Sequence, residues 1–145
     1  LYSWVLAPAN LLPGLPGAVR QKVQELGFDS PYRYALLACF YTVVHSFLEE
    51  YYWRWCVFGG LRRRTSLRAS IVIASIGFTA HHVIVLARFF GWGAPATWLF
   101  SVGVGIGGAF WAWLYQRSGQ LVAPWISHLI VDAAIFLLGY VLIFG

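Results

Sequence analysis

Four long apolar stretches dominate the hydrophobic pattern of this chain. They cover residues 34–58, 70–90, 94–115 and 121–144. At about 1.5 Å of rise per residue, a helix over each stretch is long enough to cross the roughly 30 Å hydrocarbon core of a bilayer. The connections between them are short, so consecutive helices should be antiparallel neighbours. The pattern therefore predicts an all-α fold, a polytopic membrane helix bundle with a four-helix core.

Helix-start signals stand before the first two stretches. Ser30 precedes Pro31, which is the pairing expected for an N-cap followed by proline at the first helical position. Thr65 or Ser66 is placed to cap the second helix.

The segment before the first stretch is harder to interpret from its pattern. Residues 1–12 fit the tail of a further span or a re-entrant piece, and a Pro/Gly-rich turn follows at 12–17. Residues 18–26 fit either an amphipathic interfacial helix or a polar connector. We divide the chain into 1–32, a partial span with an interfacial segment, and 33–145, the core. Because the first residue is Leu1, we expect a fragment or a processed form.

Composition and charge support the membrane interpretation. The chain is 60% hydrophobic and only 10% charged, whereas soluble domains carry about 25% charged residues. The net charge of +5 indicates orientation rather than nucleic-acid binding, because Lys and Arg collect on cytoplasmic loops. Four arginines lie within 62–68 and Arg117 lies in the third loop, against Arg88 near the second. We therefore place the first and third loops in the cytoplasm.

Two sequence features do not indicate cofactor chemistry. The spacing of Gly103, Gly105 and Gly108 matches a dinucleotide-binding fingerprint, but apolar helical sequence flanks it where a strand would be required. We interpret Gly103 with Gly107, and Gly105 with Ala109, as small-residue pairs for close helix packing. The two cysteines have no metal-ligand spacing, and we expect neither a cofactor nor a metal.

Ionisable residues are concentrated inside the predicted spans. Three of the five acidic residues, all four histidines and Arg54 fall there. A charge near the centre of a spanning helix costs about 2.5–3.5 kcal/mol, so such residues usually face the bundle interior and mark a site. Structural ion pairs are the alternative explanation.

Depth favours a single site. Counted at ~1.5 Å per residue from the cytoplasmic ends, Glu49 lies about 15 Å deep, His82 about 18 Å, His128 about 10 Å and Asp132 about 16 Å. Helices one, two and four should therefore surround a polar cavity, with helix three packed through its glycines.

The chemistry of these groups suggests hydrolysis. Residues four apart share a helix face, and three such pairs occur: Glu50 with Arg54, Phe78 with His82, and His128 with Asp132. A carboxylate and a histidine in a water-poor pocket can activate a water molecule. A second histidine can stabilise a developing oxyanion.

The three motifs resemble those of a known family. In order, Glu49-Glu50-x-x-x-Arg54, Phe78-x-x-x-His82 and His128-x-x-x-Asp132 resemble the CAAX-protease and bacteriocin-processing (CPBP, or Abi) intramembrane proteases. The resemblance covers residues 36–144. It implies a glutamic-type intramembrane endopeptidase with a four-helix catalytic core. It also implies a multi-pass protein of a bacterial cell membrane that acts on a peptide or protein, lipidated or membrane-anchored in some relatives.

The resemblance also implies roles for the catalytic residues. Glu49 matches the base that activates water, and His82 matches the histidine that holds that water. His128 matches the histidine of the oxyanion site. Asp132 stands where the family has Asn or, in many bacterial members, Asp; since a carboxylate does not donate as an amide does, we expect Asp132 to contribute to the oxyanion site only when protonated, or else to orient His128.

Four further residues are assigned supporting roles. Glu50 and Arg54 match a structural pair in the family, and Phe78 belongs to the second motif. His45 precedes Glu49 by one turn and is a candidate to assist it. His81 points about 100° away from His82 on the helix, so we treat it as secondary.

Three alternatives remain open. The same histidines and carboxylate, with a water, form a possible catalytic zinc set. A non-catalytic protein of the bacteriocin-immunity type would need the same fold but no reaction. A proton-coupled carrier also needs buried acids and histidines, but no inverted repeat is evident. Lipid and a peptide or protein are the expected partners, and nucleic acid is not.

Overall fold

A computed structural model describes residues 15–145, which contain helices and no strand. Helix α1 covers Leu15–Glu25, and a continuous helical run then extends from residue 31 to residue 62. Three long helices follow, α5 (Leu67–Phe90), α6 (Pro95–Ser118) and α7 (Val122–Phe144). The predicted all-α helix bundle is confirmed. The expectation for residues 1–12 lies outside the described residues.

The predicted helix starts are present. The Ser30 hydroxyl accepts a hydrogen bond from the backbone N–H of Arg33 at 3.3 Å, and Pro31 is the first residue of the helix. The Ser66 hydroxyl accepts one from the N–H of Ala69 at 3.3 Å. Each cap satisfies a backbone donor that the first helical turn leaves without an intrahelical partner.

The first apolar stretch is helical but not uniformly α-helical. Its run consists of α2 (Pro31–Cys39), π1 (Phe40–His45), α3 (Ser46–Glu50), π2 (Tyr51–Phe58) and α4 (Gly59–Arg62). π-Helical turns are rare and frequently occur at functional sites. Both acidic residues of the first motif lie on the five-residue α3 segment between the two π segments.

Within residues 15–145, three helices, α5, α6 and α7, are long and apolar enough to cross a membrane. Their apolar side chains cover the outside of the bundle, with Ile76, Ile106 and Leu137 each more than 60% exposed. Polar side chains lie inside instead: Glu50, Arg54 and others are completely or almost completely buried. This arrangement suits a lipid solvent, in which exposed apolar surface carries no penalty and polar groups need internal partners.

Helices α5 and α6 pack closely through two glycines. A Cβ atom on Gly105 would lie 3.0 Å from the Thr79 hydroxyl, and one on Gly108 would lie 3.0 Å from the Phe78 ring. The predicted packing of Gly103 with Gly107 is wrong. Among the described residues nothing lies within 4 Å of a Cβ at Gly103, and Gly107 faces a side chain of its own helix.

Helix α7 lies against the first helical run and is fixed at its far end by two polar contacts. The Tyr34 hydroxyl donates to the carbonyl of Phe136 at 2.9 Å. From α1, an Arg20 Nη atom donates to the carbonyl of Leu142 at 3.1 Å, which satisfies an acceptor in the last turn of α7. Residues 18–25 thus lie in a helix, as one of the two interpretations of that segment predicted, but the helix already begins at Leu15, inside the stretch predicted as a turn.

Candidate active site

A cavity of about 220 Å³ lies between the first helical run, α5 and α7. The first run and α5 contribute the residues Tyr41, His45, Glu49, His81, His82 and Val85, and α7 contributes His128, Asp132 and Phe136. The structure therefore brings all four predicted catalytic residues to one cavity, and none of these lining residues comes from α6. This is the arrangement expected from the shared depth of the ionisable residues.

The carboxylate of Glu49 is surrounded by all four histidines of the chain. His81 Nε2 lies 3.0 Å from Glu49 Oε1, and His82 Nε2 lies 3.8 Å from the same oxygen. On the other side, His45 Nδ1 is 3.8 Å and His128 Nε2 is 3.7 Å from Oε2. Four imidazoles around one carboxylate make Glu49 the centre of the site.

His81 is not secondary, contrary to the expectation from the helical angle. Its Nε2 is within hydrogen-bonding distance of Glu49, whereas that of His82 is not. The Glu49 carboxylate lies between the two imidazole rings. Side chains that point about 100° apart on α5 can therefore both face it. The sequence feature that could have identified His81 is the pair His81-His82 itself, because placing two adjacent imidazoles in an apolar helix costs free energy.

His82 is held in one tautomer by its own helix. Its Nδ1 lies 3.0 Å from the carbonyl of Phe78 and donates to it, because a carbonyl only accepts. In the neutral ring Nε2 is then left as an acceptor that faces the cavity. The Phe78 ring, whose centroid is 4.5 Å from that of His82, packs against it.

His128 is fixed by a buried carboxylate and an aromatic face. Its Nδ1 donates to Glu50 Oε1 at 2.8 Å, and its ring stacks on Trp111 with centroids 3.9 Å apart. Its Nε2 therefore points toward the cavity, 3.6 Å from Asp132 Oδ1. Sequence spacing suggested that Asp132 orients His128, but Glu50 makes the short contact. Trp111 is itself buried, at 5% exposed.

Glu50 and Arg54 form a buried ion pair. Arg54 Nε lies 3.0 Å from Glu50 Oε2, though off the N–H axis, and both side chains are at most 2% exposed. The guanidinium carbon also lies 4.6 Å from the centre of the Phe78 ring and 5.4 Å from that of Trp111. Cation–π contacts of this kind stabilise a desolvated arginine. The pair carries a chain of contacts from Arg54 through Glu50 to His128.

The amino-acid sequence that builds this site matches a known protein family. The sequence profile described as type II CAAX prenyl endopeptidase, Rce1-like, matches residues 31–134. This chain belongs to the Rce1-like family. The match covers well over half of the chain and contains all three motifs. The chain matches no curated protein and no solved structure.

Membership of the Rce1-like family has direct consequences. The family is one of CAAX proteases, so the chain is a hydrolase of the membrane whose substrate is a peptide or a protein. The apolar exterior of α5, α6 and α7 agrees with this environment.

Several side chains of the site are less buried than that of His128, including His81, 38% exposed, and His82, 23% exposed. The Asp132 side chain is 19% exposed and that of His45 is 38% exposed, compared with 4% for His128. The Tyr41 ring lies over His45 with centroids 4.8 Å apart. The side chains of His45 and Asp132 can therefore contact a bound substrate or water, in addition to Glu49 and His128 respectively.

A metal ion would find suitable ligands at one side of the cavity. Ligand atoms of Glu49, His81 and His82 all lie within 4.8 Å of one another. Two imidazoles and a carboxylate form one of the sets that bind catalytic zinc. The zinc set predicted from the sequence contained His128, whereas the compact set in the structure contains His81 in its place.

A larger groove, of about 460 Å³, lies on the outside of α5 and α6. It is lined by aliphatic side chains, Gly105, Ala109 and the hydroxyl residues Ser75 and Thr79. No carboxylate, imidazole or amine lines it, so it provides no acid and no base that could activate the hydroxyls of Ser75 and Thr79. The smaller polar cavity is therefore the candidate active site.

Proposed function

We propose that this Rce1-like protein is a glutamic-type intramembrane endopeptidase in which Glu49 activates a water molecule. The observation that carries the proposal is the Glu49 carboxylate in a cavity below the apolar surface, within 3.0–3.8 Å of four imidazoles. No serine or cysteine lines this cavity in the described part of the chain. A carboxylate base acting on water is the chemistry that these side chains support.

The first half of the reaction forms a tetrahedral intermediate. Glu49 takes a proton from a water molecule that also donates a hydrogen bond to His82 Nε2, the acceptor nitrogen facing the cavity. The water oxygen bonds to the carbonyl carbon of the scissile peptide, and the electron pair of the C=O bond moves to its oxygen. The Nδ1–H of His128 is already donated to Glu50. As an imidazolium, His128 carries a second proton on Nε2 and donates it in a hydrogen bond to this oxyanion.

The second half of the reaction releases the products. The oxyanion electron pair re-forms the C=O bond, the C–N bond breaks, and protonated Glu49 gives its proton to the leaving nitrogen, which restores the carboxylate base. In the intermediate, Glu50 and the oxyanion supply two negative charges, which balance the Arg54 guanidinium and the His128 imidazolium. This role accounts for the buried Arg54–Glu50 ion pair, because an ion pair in a low-dielectric interior adds little stability by itself.

We further propose a multi-pass topology in a bacterial cell membrane, with the loop after α4 and the loop between α6 and α7 in the cytoplasm. The arginines of the first loop support this orientation. Its substrate is a peptide or protein segment that enters the bilayer, since the cavity lies among membrane-embedded helices.

The base assignment is tested by substituting Glu49→Gln in detergent-purified protein supplied with a CAAX-type peptide. The change keeps the size of the side chain but removes the base, so cleavage should fall by at least about a hundredfold while the melting temperature stays nearly constant. Glu25→Gln, an exposed position in α1, is the matched control and should cleave normally. Substantial cleavage by Glu49→Gln would rule out the mechanism.

A zinc-dependent protease is the second candidate, and the cluster of Glu49, His81 and His82 favours it. The two mechanisms differ under chelation. A zinc enzyme loses its Lewis acid and its activated water, and recovers both when Zn²⁺ is restored. The glutamic mechanism predicts cleavage that survives prolonged chelation, with well under one zinc per chain by elemental analysis. Stoichiometric zinc with chelator-sensitive, metal-restored activity would establish the second candidate.

A further inference from the structure

His81 makes the shortest contact with Glu49. Its Nε2 lies 3.0 Å from Oε1, whereas the other three imidazoles approach the carboxylate to 3.7–3.8 Å. Hydrogen bonds between nitrogen and oxygen fall between about 2.7 and 3.2 Å. Among the described residues, His81 is therefore the one side chain that directly fixes the orientation of the Glu49 carboxylate.

The far side of the His81 ring is held by a stacking contact. The ring is nearly parallel to that of Trp53, at an interplanar angle of 5° and a centroid distance of 5.5 Å. One turn earlier on α5, Gly77 provides the space for this tryptophan, because a Cβ there would lie 2.8 Å from the indole ring. Gly77, Trp53 and His81 thus form a stack that ends at Glu49.

The surroundings of His81 also determine which nitrogen carries its proton. Nδ1 is buried and has no hydrogen-bond partner within residues 15–145. A proton on Nδ1 would be a buried donor without an acceptor, which is costly. Nε2 therefore carries the proton and donates it to Glu49, in contrast to His82, whose Nδ1 donates to Phe78. The two adjacent histidines hold opposite tautomers.

We propose that His81 is a positioning residue, which holds the catalytic base Glu49 in its productive orientation by donating Nε2–H to Oε1. The inference rests on the proposed glutamic mechanism and extends it. The terminal torsion of a glutamate side chain adopts a broad range of angles. A neighbouring group must therefore set the direction in which the carboxylate oxygens face the water. His82 remains free to bind the water, while His81 fixes the base.

Two substitutions of the same residue separate this role from simple packing. In His81→Gln the amide nitrogen reaches the position of the imidazole Nε2, whereas in His81→Asn it reaches only the position of Nδ1. Both lose the ring stacked on Trp53. We expect His81→Asn to lower kcat about a hundredfold, the loss typical of a reacting group misplaced by about 1 Å. His81→Gln should keep kcat within about tenfold of the native value, with KM for both within about twofold.

The experiment is designed so that each result is decisive. Equal losses of kcat in the Gln and Asn variants, or an unchanged kcat in both, would overturn the positioning role. A change confined to KM would also overturn it, since that would indicate a substrate contact. Stoichiometric zinc in the native protein that is lost in both variants would assign His81 as a metal ligand instead.

A second pair of variants leaves His81 in place, and so applies even if the His81 variants fail to fold. Gly77→Ala displaces Trp53 from beneath His81 and should lower kcat with little change in KM. Gly103→Ala, where the structure shows open space, should retain native kcat. Equal kcat in these two variants would contradict the stack. If Glu49→Gln remained active, the proposed function itself would fail. That outcome is separate from the kcat values of the His81→Gln and His81→Asn variants, which test only the positioning role.

Discussion

Arg54 shows how a single residue can serve the site without contacting a substrate. It is 1% exposed, pairs with Glu50, and lies against the faces of Phe78 and Trp111. Glu50 in turn binds His128. A residue that the motif suggested was structural therefore supports the orientation of the proposed oxyanion donor through one intermediate side chain.

Arg54→Ala should consequently reduce stability strongly, because it leaves Glu50 buried without its cation. Breaking a buried ion pair by removing one partner typically costs about 3–5 kcal/mol, which we expect to appear as a large fall in melting temperature in detergent. Arg33→Ala is the control, since that arginine is exposed and lies 3.9 Å from Asp29; its effect should stay within about 0.5 kcal/mol. Similar melting temperatures for both variants would contradict the buried-pair interpretation.

At the scale of elements, the helix pair α5 and α6 places the second motif against the first and the third. Gly108 lets α6 approach the Phe78 ring on α5, and that ring contacts both Arg54 and His82. Trp111, one turn further along α6, stacks on His128 of α7. Helix α6 therefore contributes no residue to the lining of the polar cavity but sets the positions of the aromatic rings behind it.

This role of α6 predicts different outcomes for two alanine substitutions on the same helix. Replacing glycine by alanine in a helix interior normally stabilises it by up to about 1 kcal/mol. Gly103→Ala should show that gain, because its Cβ meets open space. Gly108→Ala should be less stable than Gly103→Ala and less active, since its Cβ would lie 3.0 Å from Phe78. Equal stability and activity in thermal and peptide-cleavage assays would contradict this account.

At the scale of the whole molecule, polarity is arranged for a membrane. Apolar side chains such as Ile106, 67% exposed, form the outer surface, and the charged network lies inside. More arginines lie at the end of the bundle where α4 meets α5 and α6 ends, namely Arg62, Arg63, Arg64, Arg68 and Arg117, than toward the opposite end, namely Arg20, Arg33 and Arg88. Arg62 donates to Gln116 at the end of α6. Opposite ends of the bundle thus differ in charge, and the positive-inside rule relates that difference to orientation.

The orientation is tested by labelling single cysteines in intact cells after replacement of Cys39 and Cys56. A cysteine at Arg64, in the arginine-rich loop, should be protected from an impermeant thiol reagent. One at Gly93, in the loop between α5 and α6, should be labelled. The reverse pattern would invert the proposed topology, and labelling of both would show that the two loops do not lie on opposite sides.

The sequence alone determined the fold class and showed that ionisable residues lie inside the apolar runs. Long apolar runs leave the backbone little choice but helix in lipid, and charges inside such runs are too costly to occur without a partner or a function. Spacings of four placed Glu50 with Arg54 and His128 with Asp132 on common faces. These conclusions need only local periodicity, which a sequence displays directly.

Only the tertiary structure decided which partner each site residue takes. His128 is four residues from Asp132 on its own helix, yet its short hydrogen bond is with Glu50, 78 positions earlier. His81 and Trp53 meet because α5 crosses the π-helical segment π2 of the first run. Contacts across helices depend on crossing geometry and on glycines that permit close approach, and a one-dimensional pattern contains neither.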